Sequence, residues 1–454
     1  MPQTTDHSSK IPSPNPRMTA FRVLMRVQGE GGYSNIALSE ALSDAGTEPR
    51  DRAFVTRLVY GVLEKTEYLD HVISSYTKSG TRVEPEVRCL LRMAVYQMAF
   101  MHTPDSAAVN ESVNLAKRLR LFRATGFING LLRSFLRDGK QVRLPDPEKS
   151  PDRYLSIQYS CPVWLIRLWR ESYGKEICEK ILRSLEGRPP VFLRTNTTRT
   201  TSEKLIAMLE AGGVQAALSE TVPDCVAVSE TGDIAALPGF AEGLFHVQDA
   251  SSQLCCMAAS PERGSVIYDV CAAPGGKSFT LAELTGNSGR VVSCDLYPHR
   301  VGLIAQGAKR LGLSRVEPLV RDALGECEPE CADLVLCDAP CSGLGIIRRK
   351  PDIKRKPQSD INGLPDLQYA ILENSSRLVR KGGRLLYSTC TLHPAENAGV
   401  IEKFLRNHSD FEPCTLDMPD GITRAIDEPD WQITLFPHII DTDGFFISAV
   451  RKKD

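Results

Sequence analysis

The run SVIYDVCAAPGGKSFTLAELTG, Ser265 to Gly286, decides the fold. Its first part is a short apolar stretch that ends on an acid, Asp269. Its last part, from Lys277, has the composition of a helix. Between them lies a turn of small residues with Pro274 and two glycines. A strand that passes through a tight turn straight into a helix is the first unit of a βα repeat. Reading outward, the same rhythm recurs. RVVSCDLY, VEPLVRDA, ADLVLCDA and GRLLYSTC are further apolar runs, separated by helical stretches such as LPDLQYAILENSSRLVRKGG. This alternation predicts a Rossmann-like α/β domain with a parallel, doubly wound sheet over residues 244–454. Ligands of such sheets bind beyond the carboxyl ends of the strands. Asp269, Asp295, Asp322, Asp338 and Cys390 each fall at or just past such an end. One acid there can be a helix cap; five polar groups placed alike point to a binding site.

Upstream of this domain the pattern changes. With 454 residues the chain is too long for one core, so two or three domains are expected. Residues 1–16 are rich in Ser, Thr and Pro and read as a disordered tail. From there to residue 143, apolar residues recur at three- and four-residue spacing with no strand-like alternation, which predicts an all-α bundle over 17–143. Residues 150–243 mix helical runs (VWLIRLWRESY, GKEICEKILRSL, TSEKLIAMLEAGG) with strand-like ones (VFLRTNT, GVQAALS, CVAVSE). They read as a small α/β module in which Trp164 and Trp169 are core residues.

The charge is uneven. Residues 1–150 hold 21 Lys and Arg against 16 Asp and Glu, an excess of +5, while the whole chain carries −1. Much of the excess sits on the last two helices of the bundle, at Lys117, Arg118, Arg120, Arg123, Arg133, Arg137, Lys140 and Arg143, interleaved with Phe122, Phe127 and Phe135. Such a face can neutralise phosphates, or can be a solvated helix surface with its phenylalanines in the core. A second basic segment, RRKPDIK with Arg348, Arg349, Lys350 and Lys354, is a further candidate grip on an RNA backbone. The 14 cysteines are too sparse for a disulfide scaffold, and no secretory pattern or apolar run of the roughly 18 residues needed by a membrane helix is present. A cytoplasmic protein with free thiols is expected, with no membrane contact. Cys327 and Cys331 lack a second Cys/His pair, so no metal is expected. Cys255 and Cys256 read as core fillers.

Three ligands are candidates for the sheet. DVCAAPGGKS is not GxGxxG, so a nicotinamide dinucleotide is weakly supported. It partly matches the GxxxxGKS phosphate loop at Gly276, Lys277 and Ser278. However, Cys271 occupies the leading glycine position, and Pro274 removes a backbone N–H from the cradle. S-adenosylmethionine fits better. It needs close backbone at Gly275 and Gly276, an acid for both ribose hydroxyls at Asp295, and an acid for the adenine amine at Asp322. The acid lies about twenty residues past the glycine turn, as the tip of a second strand requires.

DAPCSG, Asp338 to Gly343, ends a core strand in an acid, a proline and a cysteine, and LLYSTCT places Cys390 at the next strand end. A cytosine as methyl acceptor explains both. Its carbon-5 is a poor nucleophile until a thiolate adds to carbon-6. The enzyme then needs a group on ring nitrogen 3, for which Asp338 suits, and a base to remove the carbon-5 proton. An unperturbed cysteine is only about 3% thiolate at neutral pH, so a nearby cation such as Lys277 or Arg349 is expected. Chemistry alone does not rank the two cysteines.

DVCAAPGGKS, CDAPCSGLGIIRRKPDIK and LLYSTCTLHPAEN resemble the signature segments of RNA (cytosine-5) methyltransferases of the NOL/NOP/Sun group. GLFHVQDASSQL and DGFFISAVRK resemble the segments that precede and close their catalytic domain. AVNESVNLAKR and GFINGLLRSF resemble the NusB-like RNA-binding domain carried by the subfamily that acts on small-subunit ribosomal RNA. The resemblance implies a cofactor pocket of S-adenosyl-L-methionine built from Cys271, Ala272, Ala273, Pro274, Gly275, Gly276 and Lys277 with Asp295, Asp322 and Asp338. It implies Cys390 as nucleophile and Cys341 in product release. From the basic segments, RNA contacts are expected at Lys117, Arg118, Arg120, Arg123, Arg348, Arg349 and Lys350, and a monomer is expected. The chain departs from the family at Ala395, where PAEN stands in place of PEEN. The competing reading is a non-catalytic RNA-binding assembly factor with a vestigial sheet.

Overall fold

A computed structural model describes residues 15–29, 34–43, 48–229 and 231–454. The expected disordered tail lies outside the described residues except at its end, where Pro16 already opens a helix. The chain divides into two compact units. One runs to Arg167 and takes in Lys350–Arg355; the other holds Leu168–Arg349 and Lys356–Asp454.

The first unit is the helical bundle. Proline opens the helices Pro49–Glu64, Pro85–Phe100 and Pro151–Gln158, where its missing N–H has no intrahelical partner to lose. Pro85–Phe100 buries nearly every residue from Val87 to Met98, which marks it as the central helix. Around it, Thr125–Arg137 buries Ile128, Leu131, Leu132 and Phe135 on one stripe. The bundle also encloses Lys354, whose Nζ donates to the carbonyls of Glu64 and Ser160, each at 2.7 Å. Burial lowers its pKa to about 8. Lys354 therefore caps a helix end inside the bundle rather than gripping RNA.

The second unit contains two sheets. The smaller is antiparallel, with strands β1 (Val191–Thr195), β2 (Gln215–Leu218), β3 (Cys225–Ser229) and β4 (Phe245–Val247) in the order β2-β3-β1-β4. Leu205 and Leu209 of the helix Ser202–Ala211 pack on it. The expected boundary at residue 243 falls one strand short. Gly243 punctuates the sequence, yet β4 continues the small sheet by pairing with β1. A Cβ on Gly243 would lie 2.1 Å from the Arg310 carbonyl oxygen, so only glycine fits. The preceding helical segment, Val163–Ser184, breaks at Gly174, whose φ of 80° separates the two helical runs seen in the sequence.

The larger sheet has β5 (Val266–Asp269), β6 (Arg290–Asp295), β7 (Val316–Val320), β8 (Ala332–Asp338), β9 (Val379–Thr389), β10 (Phe411–Pro413), β11 (Gln432–Leu435) and β12 (Phe445–Lys452). Its order is β10-β12-β9-β8-β5-β6-β7, with β11 also on β12. Strands β5 to β9 pair in parallel, while β12 enters antiparallel between β9 and β10. Only the four-residue helix Pro437–Ile440 separates β11 from β12, too short for a crossover, so the two pair as antiparallel neighbours. The order reverses between β5 and β8, which opens a crevice at their carboxyl ends.

A buried ion pair joins the small sheet to the helix Gly276–Leu284, which follows β5. Arg194 on β1, 1% exposed, donates through Nε to Oε2 of the fully buried Glu283 at 3.2 Å. The Nδ1 of His246 lies 3.4 Å from the other Glu283 oxygen. Replacing one member strands the other charge, so Arg194→Met is expected to cost about 3 kcal/mol. Urea unfolding of the full chain, followed by tryptophan fluorescence, checks this; an unchanged midpoint would contradict it.

Candidate active site

The crevice is framed by the ends of β5, β6, β8 and β9. After Asp269, the chain turns through Cys271–Gly275 into the helix Gly276–Leu284. Gly275 has φ +112°, and a Cβ there would meet the Phe279 ring at 2.4 Å. Glycine alone therefore makes this turn. The Ala272 N–H donates to the Cys294 carbonyl on β6 at 2.7 Å, which fixes the turn over the sheet. Asp295 ends β6 almost fully buried. Its oxygens accept from the Tyr297 N–H at 3.1 Å and pair with Arg300, also at 3.1 Å. Arg300 in turn donates to the Ala273 carbonyl, so one guanidinium ties the acid to the glycine turn. Asp322, past β7, is exposed and accepts from the Leu324 N–H.

Asp338 ends β8. Its Oδ2 pairs with Lys277 Nζ at 2.7 Å, and its Oδ1 accepts from the Ser388 hydroxyl on β9 at 2.8 Å. Burial, the largest single influence, would lower the Lys277 pKa, but Asp338 together with Cys255 and Cys256 outweighs it and holds the ammonium above its ordinary range. Cys341 and Cys390 meet across the two strand ends, with their sulfurs 3.3 Å apart. The hydrogen bond with Cys390, then burial, holds the Cys341 thiol well above its ordinary pKa.

Several residues position this pair. Glu396 is fully buried, and its Oε2 accepts from the Ser342 N–H at 2.9 Å and from Gln368 Nε2 at 2.8 Å. Gln368 also donates to the Pro340 carbonyl. Both neighbours of Cys341 are thus held from below. On the other strand, Asn397 accepts from the Thr389 hydroxyl at 2.6 Å and donates to the Thr391 carbonyl at 2.9 Å. That bridge fixes the backbone on both sides of Cys390. The Ser342 and Thr391 hydroxyls, 2.7 Å apart, join the two loops. Neither Gln368 nor Ser388 stands out in the sequence. Polar residues buried in apolar runs are the available signal, but their partners lie on other segments.

Asp269 lies beneath the turn with no exposure and accepts from the Ser278 hydroxyl at 2.6 Å. Burial raises its pKa from 3.8 to about 7. An acid raised in this way favours folding while both states hold the proton, below about pH 4. That contribution is lost as pH rises to about 7 and stays lost above it. Stability should therefore fall over this window by a few kcal/mol at most. Asp269→Asn should flatten the slope, as read from denaturant unfolding at several pH values; a slope equal to wild type would contradict the assignment.

The expected RNA-contact residues divide. Lys117, Arg118, Arg120 and Arg123 are exposed on the helical unit. Arg349 is engaged internally instead. It grips Asp443 at 2.8 and 2.9 Å, Asp249 at 2.6 Å and the Pro190 carbonyl at 2.9 Å. Arg348 pairs with Asp441 and donates to the Arg188 carbonyl. These two arginines hold segments of their own unit together. Neither Arg349 nor Lys277 donates to Cys390; Lys277 acts on Asp338. Lys350 is half-buried with no ion-pair partner among the described residues. The same residues contain no group of three or more His, Cys, Asp or Glu able to hold a metal, and no helix long and apolar enough to cross a membrane.

Comparison with known proteins agrees with this architecture. Residues 256–451 match the family 16S rRNA methyltransferase RsmB/F, residues 14–137 match the NusB family, and residues 161–235 match the ferredoxin-like domain of RsmF/B-like methyltransferases. "Probable ribosomal RNA small subunit methyltransferase B" of Bacillus subtilis (strain 168) is 38% identical over 96% of this chain and 98% of its own length. Ribosomal RNA small subunit methyltransferase B of Escherichia coli O1:K1 / APEC is 32% identical over 97% and 99%. The crystal structure of PH0851 superposes with a TM-score of 0.79 at 30% identity, over 97% of this chain and 99% of that one. A methyltransferase homolog protein from Pyrococcus horikoshii gives 0.57 at 27% identity, over 68% and 100%. With a NusB-like bundle, a ferredoxin-like module and a Rossmann-like catalytic sheet in one chain, and relatives of this identity along its length, the protein belongs to the RsmB/F family of 16S rRNA methyltransferases.

Proposed function

We propose that the chain transfers the methyl group of S-adenosylmethionine to carbon-5 of a cytosine in small-subunit ribosomal RNA, through a covalent bond between Cys390 and carbon-6. The observation that carries the reading is the thiol pair, 3.3 Å apart on neighbouring strand ends beside Asp338. A structural role for two such cysteines would not need Glu396 and Asn397 to fix their flanks.

The residues present fit the cofactor. The turn Cys271–Lys277 offers close backbone at a helix start, and Asp295 and Asp322 offer carboxylates for hydroxyl and amine donors. Each Asp295 oxygen already accepts one bond and keeps capacity for another. When bound, S-adenosylmethionine supplies an electrophilic methyl group. Asp338, held by Lys277 and Ser388, is set to bond the pyrimidine edge. The Cys390 sulfur, its proton passed to solvent, adds to carbon-6; the electron pair passes to carbon-5, which takes the methyl group and leaves the donor sulfur as the neutral thioether of S-adenosylhomocysteine. Cys341 keeps its proton at first, since its hydrogen bond to Cys390 and burial both favour the thiol. Once Cys390 is a neutral thioether, the first of those causes weakens. Cys341 can then give its proton to solvent and, as a thiolate, take the one on carbon-5. The pair left behind reforms the ring double bond and expels the Cys390 sulfur.

The test is methyl transfer from labelled S-adenosylmethionine to small-subunit rRNA, followed by nucleoside analysis. Label in 5-methylcytidine is expected. Label in any other nucleoside would overturn the cytosine reading.

A further inference from the structure

We propose that Cys341 and Cys390 form a site of reversible oxidation, at which a hydroperoxide links the two sulfurs as a disulfide and stops methyl transfer. That the link stops transfer rests on the methyltransferase reading; the link itself rests on geometry. The two cysteines stand just past the ends of β8 and β9, which pair in parallel with Asp338 opposite Ser388. Three bonds lace the loops around them. The Ala339 N–H donates to the Ser388 carbonyl at 3.0 Å, the Gly345 N–H donates to the Cys390 carbonyl at 3.0 Å, and the Ser342 and Thr391 hydroxyls meet at 2.7 Å. None of these uses a sulfur. Each sulfur has the other, 3.3 Å away, as its one hydrogen-bond partner among the described residues. A disulfide bond is about 2.05 Å long, so closure takes a movement of little more than about 1 Å. Rotation of two side chains with no other bond to break supplies it, while the laced backbone stays in place. Both cysteines are partly exposed, so a small peroxide has access. Cys327, Cys331 and Cys414 are also partly exposed, but donate to the carbonyls of Asn374, Glu328 and Thr415.

The chemistry runs in two steps. The bond to Cys390, then burial, holds Cys341 as the thiol, so Cys390 is the sulfur that reacts first. It attacks one oxygen of hydrogen peroxide, the O–O bond breaks, and the departing hydroxide takes up the proton released by Cys390 to form water. Cys390 is left as a sulfenic acid, oxidised by two electrons. The Cys341 sulfur then attacks that of Cys390, the S–O bond breaks, and the hydroxide leaves with the Cys341 proton as a second water. In sum, two thiols and one peroxide give one disulfide and two waters. A second peroxide, which would carry Cys390 on to the sulfinic acid, has to arrive from solution, whereas Cys341 is already in place. The disulfide leaves no thiolate for carbon-6 and no base for the carbon-5 proton. It leaves the cofactor turn untouched, since that turn hangs from β5 and β6. A dithiol reductant returns two hydrogens and restores both sulfurs.

The test treats the full chain, reduced and freed of dithiothreitol, with hydrogen peroxide, blocks the remaining thiols with iodoacetamide and digests the protein without reductant. Mass spectrometry should find the peptides of Cys341 and Cys390 joined, at the sum of their masses less two hydrogens, with the link placed by fragmentation. Methyl transfer to small-subunit rRNA should fall in step with the linked fraction, on the order of 10-fold once nine-tenths of the chains are linked, and should return with dithiothreitol. Binding of S-adenosylmethionine should match the reduced chain, which separates a closed sulfur pair from a damaged fold. In Cys341→Ser, peroxide should instead carry Cys390 to the sulfinic acid, which dithiothreitol does not restore. Sulfurs that stay unlinked in wild type, sulfinic acid at Cys390 as readily in wild type as in Cys341→Ser, or undiminished transfer by the linked chain would each overturn the proposal. Nucleoside analysis on the reduced chain, before peroxide, keeps the two readings apart. If that chain forms no 5-methylcytidine while the link forms and reverts, the oxidation site stands and the enzyme reading fails. If it forms 5-methylcytidine while peroxide leaves the sulfurs unlinked, the reverse follows.

Discussion

Cys390→Ala is expected to lower methyl transfer by on the order of 10⁴-fold or more, as deletion of a covalent nucleophile does elsewhere. Binding of S-adenosylmethionine and of RNA should stay near wild type. The reason is positional. Cys390 follows the last residue of β9, and its flanks are held through Asn397 by Thr389 and Thr391. None of those bonds uses the sulfur, so the loop should keep its place when the sulfur is removed. The cofactor turn hangs from β5 and β6, and its tie to the Cys294 carbonyl is also untouched. Single-turnover transfer from labelled cofactor, with equilibrium binding of cofactor and rRNA measured separately, checks the expectation. Near-normal transfer would remove Cys390 from the nucleophile role. Loss of cofactor binding would mean that the variant had collapsed the crevice. The same variant decides against the non-catalytic alternative, because a binding-only assembly factor has no transfer rate to lose.

The catalytic core is readable because its signals are local. The run from Ser265 to Gly286 carries strand, turn and helix within one stretch, and Gly275 is a position where only glycine fits. Asp338 and Cys390 are readable for the same reason, since a polar residue after an apolar run marks a strand end wherever it occurs. What pairs those ends is less accessible. Lys277 is separated from Asp338 by 61 residues, and Glu396 from Ser342 by 54. The basic segment misleads for a related cause. An arginine beside another arginine looks the same whether a phosphate or a carboxylate lies in front of it. Arg349 finds Asp249 and Asp443, each about a hundred residues away along the chain, and so closes its own unit. Lys354 is a sharper case, because a lysine is rarely buried and only helix-end carbonyls with no partner of their own make that burial tolerable. The short strands β4, β10 and β11 escape a sequence reading because three or four residues carry too little alternation.

Cys341→Ala is expected to trap the enzyme on its RNA. A shifted, denaturant-resistant protein–RNA species should appear, and turnover should fall by about 10²-fold or more, the usual contribution of a positioned base. Addition to carbon-6 and methyl transfer need Cys390, Asp338 and the cofactor, all of which this variant retains. Release alone needs a base on the carbon-5 proton. Within the crevice, Asp338 is paired with Lys277 and Ser388, and Glu396 lies fully buried under the Ser342 amide. Neither carboxylate is free to replace the thiol. The adduct must vanish in Cys341→Ala/Cys390→Ala, since no sulfur then remains to form it. If the single variant turns over normally with no adduct, the release role of Cys341 is wrong. If the adduct survives in the double variant, the covalent bond is made by another residue, and the assignment of Cys390 falls with it. Only an adduct that needs Cys390 and persists without Cys341 fits two thiols 3.3 Å apart acting in sequence on one ring.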